Sequence, residues 1–189
     1  MSPTTPQLVL RLAVLGVAVV ILQVAAVSQI VIFGASADLT PLVVAAVGLM
    51  CGSIAGAIFG FCVGLFFDAA LVQTMGLTSF VCVVAGYGAG RLRELRDPQG
   101  VVVPMLVGAA ATAITTFGYG AMNFMLGIDA PVSFLLLRVI LSTIILNAIF
   151  ALPVFSLVRR WLMPSLPDDP RRRRRRAYTT GGLSPLTRA

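Results

Sequence analysis

Two uncharged stretches limit what this sequence can fold into. Leu12 to Ala37 carries no charge, and Leu39 to Gly90 runs for 52 residues with Asp68 as its one charged side chain. A helix needs about 20 apolar residues to cross a bilayer, so the first stretch predicts one transmembrane helix and the second two or three. Because 58% of the residues are hydrophobic and 11% are charged, we expect an all-α polytopic membrane protein.

Two further apolar stretches, at residues 101–128 and from 131 to about 158, each predict one more helix. Short basic segments follow the Leu39 to Gly90 stretch and the last stretch. Since arginine-rich loops stay on the cytoplasmic side, both basic segments are expected there. Their arginines are Arg91, Arg93, Arg96, Arg159 and Arg160.

The number of helices in the second uncharged stretch decides the side of the N-terminus. Two helices would place the N-terminus outside, and three would place it in the cytoplasm. We expect three: a short helix at about residues 41–50, one through Asp68, and one at about residues 75–90. This division predicts about six transmembrane helices within residues 1–163, with both termini in the cytoplasm.

Residues 164–189 differ in composition from the rest of the chain. They contain proline, glycine and six successive arginines and have almost nothing to bury, so we expect a disordered basic cytoplasmic tail. Near anionic lipid each arginine contributes about 1 kcal/mol, which favours lipid contact over docking to an acidic partner. Nucleic acid is not expected, because Tyr178 is the one aromatic residue available for stacking. The arginines are Arg171, Arg172, Arg173, Arg174, Arg175 and Arg176.

The sequence offers no constellation of catalytic or metal-binding residues. It has no histidine, and its three cysteines lie inside apolar stretches, where an odd number argues against a disulfide framework and a zinc site. The acids expected near the outer side, Asp38, Asp68 and Asp129, are scattered. We therefore expect a protein with no enzymatic activity, no cofactor and no metal.

The segment GLMCGSIAGAIFGFCVGLFFD, residues 48–68, has glycine at every fourth position until Asp68 takes the next place. Small residues at this spacing let helix backbones approach closely in a bilayer. Gly56, Gly60 and Gly64 therefore predict a packing face, although the same pattern is common in generic helix packing. Asp68 continues that face and is expected to point at a neighbouring helix, since facing lipid would cost a few kcal/mol.

Arg138 lies seven residues into the last stretch, about 10 Å along its helix. One interpretation is an ion pair between Asp68 and Arg138 across two helices. The other is that Arg138 extends to the outer headgroups while Asp68 caps a helix near water. Four amides lie in or near the apolar stretches, and most are expected to join helices by hydrogen bonds worth on the order of 1 kcal/mol each. They are Gln23, Gln29, Asn123 and Asn147.

The segments GAIFGFCVGLFFD and MGLTSFVCVVAGYGAGRLRE resemble the MreD family of bacterial rod shape-determining proteins. That family carries a G-x-x-x-G-L-x-x-D segment, then a Leu-Gly pair, then a helix that ends in a basic loop. Methionine replaces the leucine of the pair in this chain. The matching residues are Gly60, Gly64, Leu65, Asp68 and Gly76.

The resemblance implies a fold similar to the substrate-binding subunits of energy-coupling-factor vitamin transporters. It implies a non-enzymatic scaffold of the bacterial inner membrane that takes part in side-wall peptidoglycan synthesis, binds MreC, and acts near RodA, a class B penicillin-binding protein and MreB. The alternative function is a vitamin-binding transporter subunit, which would need an outer pocket lined by polar and aromatic groups. The expected outer loops are short, and this favours the scaffold.

Overall fold

The computed structural model describes residues 5–25, 31–32, 35–36, 38–72, 74–95, 102–125, 127 and 134–165. These residues form six α-helices, which confirms the predicted all-α class and helix number. The helices are α1 (Thr5–Ala25), α2 (Leu39–Cys51), α3 (Ser53–Ala70), α4 (Leu77–Leu95), α5 (Val102–Met125) and α6 (Phe134–Leu162). A 3-10 turn at Met163–Ser165 follows α6.

The first helix is shorter than the uncharged stretch that predicts it. α1 ends at Ala25 instead of continuing toward Ala37. Two short antiparallel strands follow, β1 (Val31–Ile32) and β2 (Ala35–Ser36). The segment VIFGAS combines β-branched residues with a glycine, a composition that favours extended structure and a turn over helix.

One residue separates α2 from α3. Gly52 has a φ of 98°, a conformation that glycine adopts without steric cost. The chain reverses its direction at Gly52 and brings α3 back against α2. A Cβ placed on Gly56 would therefore lie 2.7 Å from the Cα of Gly48. The second uncharged stretch therefore divides at the expected turn and, with α4, gives three helices.

α2 lies at the centre of the bundle. Every residue from Thr40 to Met50 is buried, and α2 contacts each of the other five helices. A helix that is apolar all round is stable when it is enclosed by others. At 13 residues α2 is about 20 Å long, too short to cross a bilayer of about 30 Å, but its neighbours enclose it.

Among the described residues, four helices are long and apolar enough to cross a membrane: Pro6–Ala25 in α1, Ser53–Ala70 in α3, Val102–Met122 in α5 and Arg138–Leu162 in α6. α4 is not among them, and its final turns carry Arg91 and Arg93. The sequence divides the chain into the correct helices, although it treats all six as equal spans. α2 instead fills the interior of a bundle whose longer members can span, and α4 packs against α2 and α3.

The beginning of α1 and the end of α6 lie at one end of the bundle. Arg11 Nη1 donates to the carbonyl of Trp161 at 2.9 Å, and Trp161 Nε1 donates to the carbonyl of Arg11 at 3.4 Å. Arg93 donates to the carbonyl of Met50 at the end of α2, and Met50 shares a hydrophobic cluster with Leu162. We call this the arginine end.

Candidate functional site

The closest helix contacts form a glycine seam between α3 and α4, which we define by Gly56, Gly60, Gly64 and Gly86. A Cβ on Gly56 would lie 2.6 Å from the carbonyl oxygen of Gly86, and a Cβ on Gly60 would lie 2.5 Å from that of Cys82. A Cβ on Gly64 would contact the Cα of Ser79. None of these positions has room for a side-chain carbon, so the two backbones touch directly.

The seam has two sides, and the sequence predicts the side on α3. The contacts move forward along α3 while they move backward along α4, as expected of antiparallel helices. Gly86 and Gly90 supply the second side, with Gly90 against Ser53. The segment GYGAG carries the same four-residue spacing and could have revealed these two residues.

Asp68 lies at the far end of the seam from the arginine end and is fully buried. Its Oδ2 accepts a hydrogen bond from the backbone N–H of Gly76 at 2.9 Å. Gly76 directly precedes α4 and has a φ of 95°, so its conformation rather than its packing requires glycine. A carboxylate at a helix N-terminus is favourable, and Asp68 thereby fixes the turn between α3 and α4.

The structure does not bring Arg138 to Asp68. Arg138 is exposed on α6, and among the described residues the hydrogen bond of Asp68 goes to Gly76. The ion-pair interpretation does not fit this geometry. Asp68 caps a helix, but it is fully buried and not near water as the other interpretation expects. Leu65, a residue of the family segment, is 39% exposed and lies outside the seam.

A second set of contacts, the polar node, consists of Gln23, Asp38, Thr112 and Asn147. Asn147 is fully buried in α6, and its Oδ1 accepts the N–H of Asp38 at 3.0 Å. Its Nδ2 donates to the carbonyl of Asp38 at 3.3 Å and to Thr112 Oγ1 at 3.1 Å. This one amide therefore joins α6 to α5 and to the start of α2.

Gln23 completes the polar node from α1. Its Nε2 donates to Asp38 Oδ1 at 3.1 Å, and its Oε1 accepts the N–H of Leu39 at 2.8 Å. Side chains from α1 and α6 thus satisfy amides at the N-terminus of α2 that a buried helix end would otherwise leave without partners. The sequence identifies Gln23 and Asn147 as hydrogen-bonding residues but does not show that both meet Asp38.

A cavity of about 300 Å³ lies beside the polar node, between the start of α2, the end of α3, the start of α4 and the second half of α5. Apolar groups line part of it, including Pro41, Phe67 and Val81. Its polar lining consists of Asp38 and the hydroxyl residues Thr40, Thr78, Thr115, Thr116 and Tyr119. Helices rather than loops form this cavity, which is why the short outer loops gave no sign of it.

Several predicted positions lie outside the described residues. These are Arg96, Asp129 and the tail arginines Arg171 to Arg176. Within the part of the chain that the structure describes, no three His, Cys, Asp or Glu side chains cluster closely enough to hold a metal ion.

A family model described as rod shape-determining protein MreD matches residues 4–162 of the 189-residue chain, a range that includes all six helices. No curated protein and no solved structure matches the chain. The likeness to energy-coupling-factor subunits therefore stays a prediction.

Proposed function

The chain belongs to the MreD family of rod shape-determining proteins, and from this we propose that it is a non-enzymatic membrane scaffold of the bacterial cell-elongation complex. Membership of this family implies a role in determining rod shape. The scaffold would bind MreC and act near RodA, a class B penicillin-binding protein and MreB during side-wall peptidoglycan synthesis.

The acids of the helical core form hydrogen bonds that connect helices, and this supports binding over catalysis. Of the acidic side chains that the structure describes in the helical core, Asp68 holds the start of α4 and Asp38 bonds to Gln23 of α1. Both carboxylates therefore connect helices. A catalytic acid or base would instead need a reacting group within hydrogen-bond reach in a substrate complex.

Wide apolar surfaces on the outer helices suit transmembrane partners as well as lipid. Residues at helical spacing on α6 are more than half exposed: Leu141, Ile145, Ile149 and Leu157. On α5, Leu106, Phe117 and Phe124 are similarly exposed. Such faces can receive a partner helix by van der Waals packing, without any change to the buried core.

The proposal includes an orientation in the inner membrane. The positive-inside rule assigns the arginine end to the cytoplasm, because Arg91, Arg93, Arg159 and Arg160 gather near it. Both ends of the helical domain then face the cytoplasm. The basic tail would start there and reach anionic lipid of the inner leaflet.

Affinity purification from native membranes tests the scaffold. The tagged chain is extracted in mild detergent, and MreC, RodA and the penicillin-binding protein are quantified by mass spectrometry. An equally expressed, unrelated polytopic protein with the same tag serves as the control. We expect enrichment of MreC over the control; equal recovery of MreC from both would contradict the proposal.

The cavity favours the vitamin-binding transporter subunit as a second candidate function. A volume of about 300 Å³ is at the lower limit of ligand pockets, which span about 300–1,000 Å³. The same purification separates the two functions. Recovery of an ATPase pair with a coupling subunit, or of a bound vitamin, would establish the transporter and exclude the scaffold.

A further inference from the structure

Part of the wall of the cavity beside the polar node can only accept hydrogen bonds. Thr115 Oγ1 donates to the α5 carbonyls of Ala111 at 3.0 Å and Thr112 at 2.9 Å, and Thr116 Oγ1 donates to that of Thr112 at 2.8 Å. A hydroxyl has one proton to donate and two lone pairs that accept. Because α5 takes both protons, these two threonines present acceptor oxygens.

The start of α2 would ordinarily favour an anion in this cavity, because helix N-termini present free N–H groups and a positive dipole end. Here three of the first four positions, Asp38, Leu39 and Pro41, offer no free N–H. Asn147 accepts the N–H of Asp38, Gln23 accepts the N–H of Leu39, and Pro41 has no N–H. The carboxylate of Asp38 also places negative charge at this helix end.

Two polar groups of the cavity can form further hydrogen bonds. Gln23 occupies Oδ1 of Asp38, and no other described residue donates to this carboxylate, so Oδ2 remains available. Thr40 is 5% exposed, and its Oγ1 lacks a hydrogen-bond partner among the described residues. A buried polar atom of this kind costs free energy unless a water or a ligand pairs with it.

The charge of the lining is one-sided. Among the described residues of the lining, Asp38 is the one carboxylate and there is no arginine, while lysine and histidine are absent from the whole sequence. An anion would meet a carboxylate and acceptor hydroxyls in a partly apolar space, where repulsion is stronger than in water. A cation with several N–H donors would pair with the same groups by charge-assisted hydrogen bonds.

From this chemistry we propose that the cavity binds a cationic hydrogen-bond donor, a primary ammonium or guanidinium group, and rejects carboxylates and phosphates. Asp38 Oδ2 and Thr40 Oγ1 are its contacts, with the Thr115 and Thr116 oxygens as further acceptors. The donor comes either from a free amine or from a lysine or arginine of a neighbouring protein. This inference goes beyond the scaffold function and does not depend on it.

Matched probes of opposite charge test the proposal on the purified full chain in neutral detergent. Thermal unfolding is followed while n-butylammonium chloride or sodium n-butyrate is added at equal ionic strength. We expect a saturable rise in Tm with butylammonium and none with butyrate. Equal shifts with the two ions, or no shift with butylammonium, would overturn the proposal.

Variants locate the binding. Asp38→Asn keeps an oxygen for Gln23 but removes the charge, and Thr40→Val removes the unpaired hydroxyl while keeping the shape. We expect at least a tenfold weaker apparent affinity for butylammonium in Asp38→Asn and a smaller loss in Thr40→Val. Ser156→Ala, at an exposed site on α6, is the control and should bind as the wild type does. Wild-type affinity in both cavity variants would overturn the assignment; if Asp38→Asn does not fold, Thr40→Val decides it alone.

A second arm identifies the source of the donor. The titration is repeated on the chain co-purified with MreC. If the butylammonium shift disappears, a side chain of the complex fills the cavity; if the shift persists, the ligand is a free amine. Both results support the binding of a cationic hydrogen-bond donor. If butylammonium gives no shift in the free chain, neither source can be assigned.

Discussion

The glycine seam and the polar node join helices by opposite means. At the seam, α3 and α4 approach until Gly56 meets Gly86 through backbone atoms alone. At the node, the side chains of Asn147 and Gln23 join α1, α2, α5 and α6 through hydrogen bonds. In a bilayer the hydrophobic effect does not drive helices together, so packing and polar bonds must do so.

The glycine seam and the polar node should therefore lose stability in response to different kinds of substitution. The seam needs no particular chemical group but tolerates no added atom, whereas the node tolerates some change of shape but not the loss of a partner. Four predictions follow this difference, from the largest expected effect to the smallest.

The largest effect is expected from Gly64→Ala, since the new Cβ would meet the Cα of Ser79. Overpacking costs about 1–3 kcal/mol and more when backbone must move, so we expect a loss of at least about 2 kcal/mol in the free energy of unfolding. The measurement is reversible unfolding by SDS in mixed micelles. Gly88→Ala is the matched control, because nothing lies within 4 Å of its Cβ position. Similar stabilities of the two variants would show that α3 and α4 are not in backbone contact.

A smaller loss is expected from Asn147→Leu. This change removes the side-chain bonds to Asp38 and Thr112 and leaves the N–H of Asp38 buried without its partner. A buried unpaired group costs about 1–3 kcal/mol, and we expect about 1–2 kcal/mol in the same unfolding assay. Ser156→Ala on the exposed side of α6 should change stability by less than about 0.5 kcal/mol. If Asn147→Leu were as stable as the wild type, the node would not hold the helices together.

A double-mutant cycle on Asp68 and Arg138 should show almost no coupling. The two residues do not meet in the structure, so the effects of Asp68→Asn and Arg138→Gln are expected to add within about 0.5 kcal/mol. The cycle uses SDS unfolding of both single variants and the double variant. A coupling above 1 kcal/mol would revive the ion pair.

The smallest effect on the fold is expected from the tail. Replacement of Arg171–Arg176 by glutamine should leave the unfolding midpoint unchanged, because the tail has almost nothing to bury. The tail should nevertheless leave the membrane surface, since each arginine contributes about 1 kcal/mol of attraction to anionic lipid. A dye at residue 189 reports this through quenching by labelled lipid in proteoliposomes with phosphatidylglycerol. Quenching that is the same for both sequences would argue against lipid contact.

The glycine seam could be predicted from the sequence because its signal is local. A four-residue period within residues 48–68 shows the packing face of α3, and the turn at Gly52 separates α2 from α3. The partner side on α4 carries the same signal in weaker form at Gly86 and Gly90. The period of the glycines does not show which two helix faces pack together. The pairing of α3 with α4 is therefore known only from the structure.

The polar node and the cavity could not be predicted because their residues are distant in the sequence. Asp38 and Asn147 are separated by 109 positions and share no motif. The end of α1 at Ala25 was also hidden, since hydropathy does not distinguish helix from the β-branched segment that follows. The cavity depends on four helices that converge only in the fold.

The role of Asp68 tests the account most directly, because a scaffold needs its carboxylate as a hydrogen-bond acceptor and not as a reactive group. The measurement is cell shape in the native host after replacement of the wild-type gene by Asp68→Asn or by Asp68→Leu. Asparagine retains an oxygen for the N–H of Gly76, so we predict rods with Asp68→Asn and rounded cells with Asp68→Leu. Rounded cells with Asp68→Asn, at normal protein level and with normal recovery of MreC, would contradict the account and assign the carboxylate a chemical role.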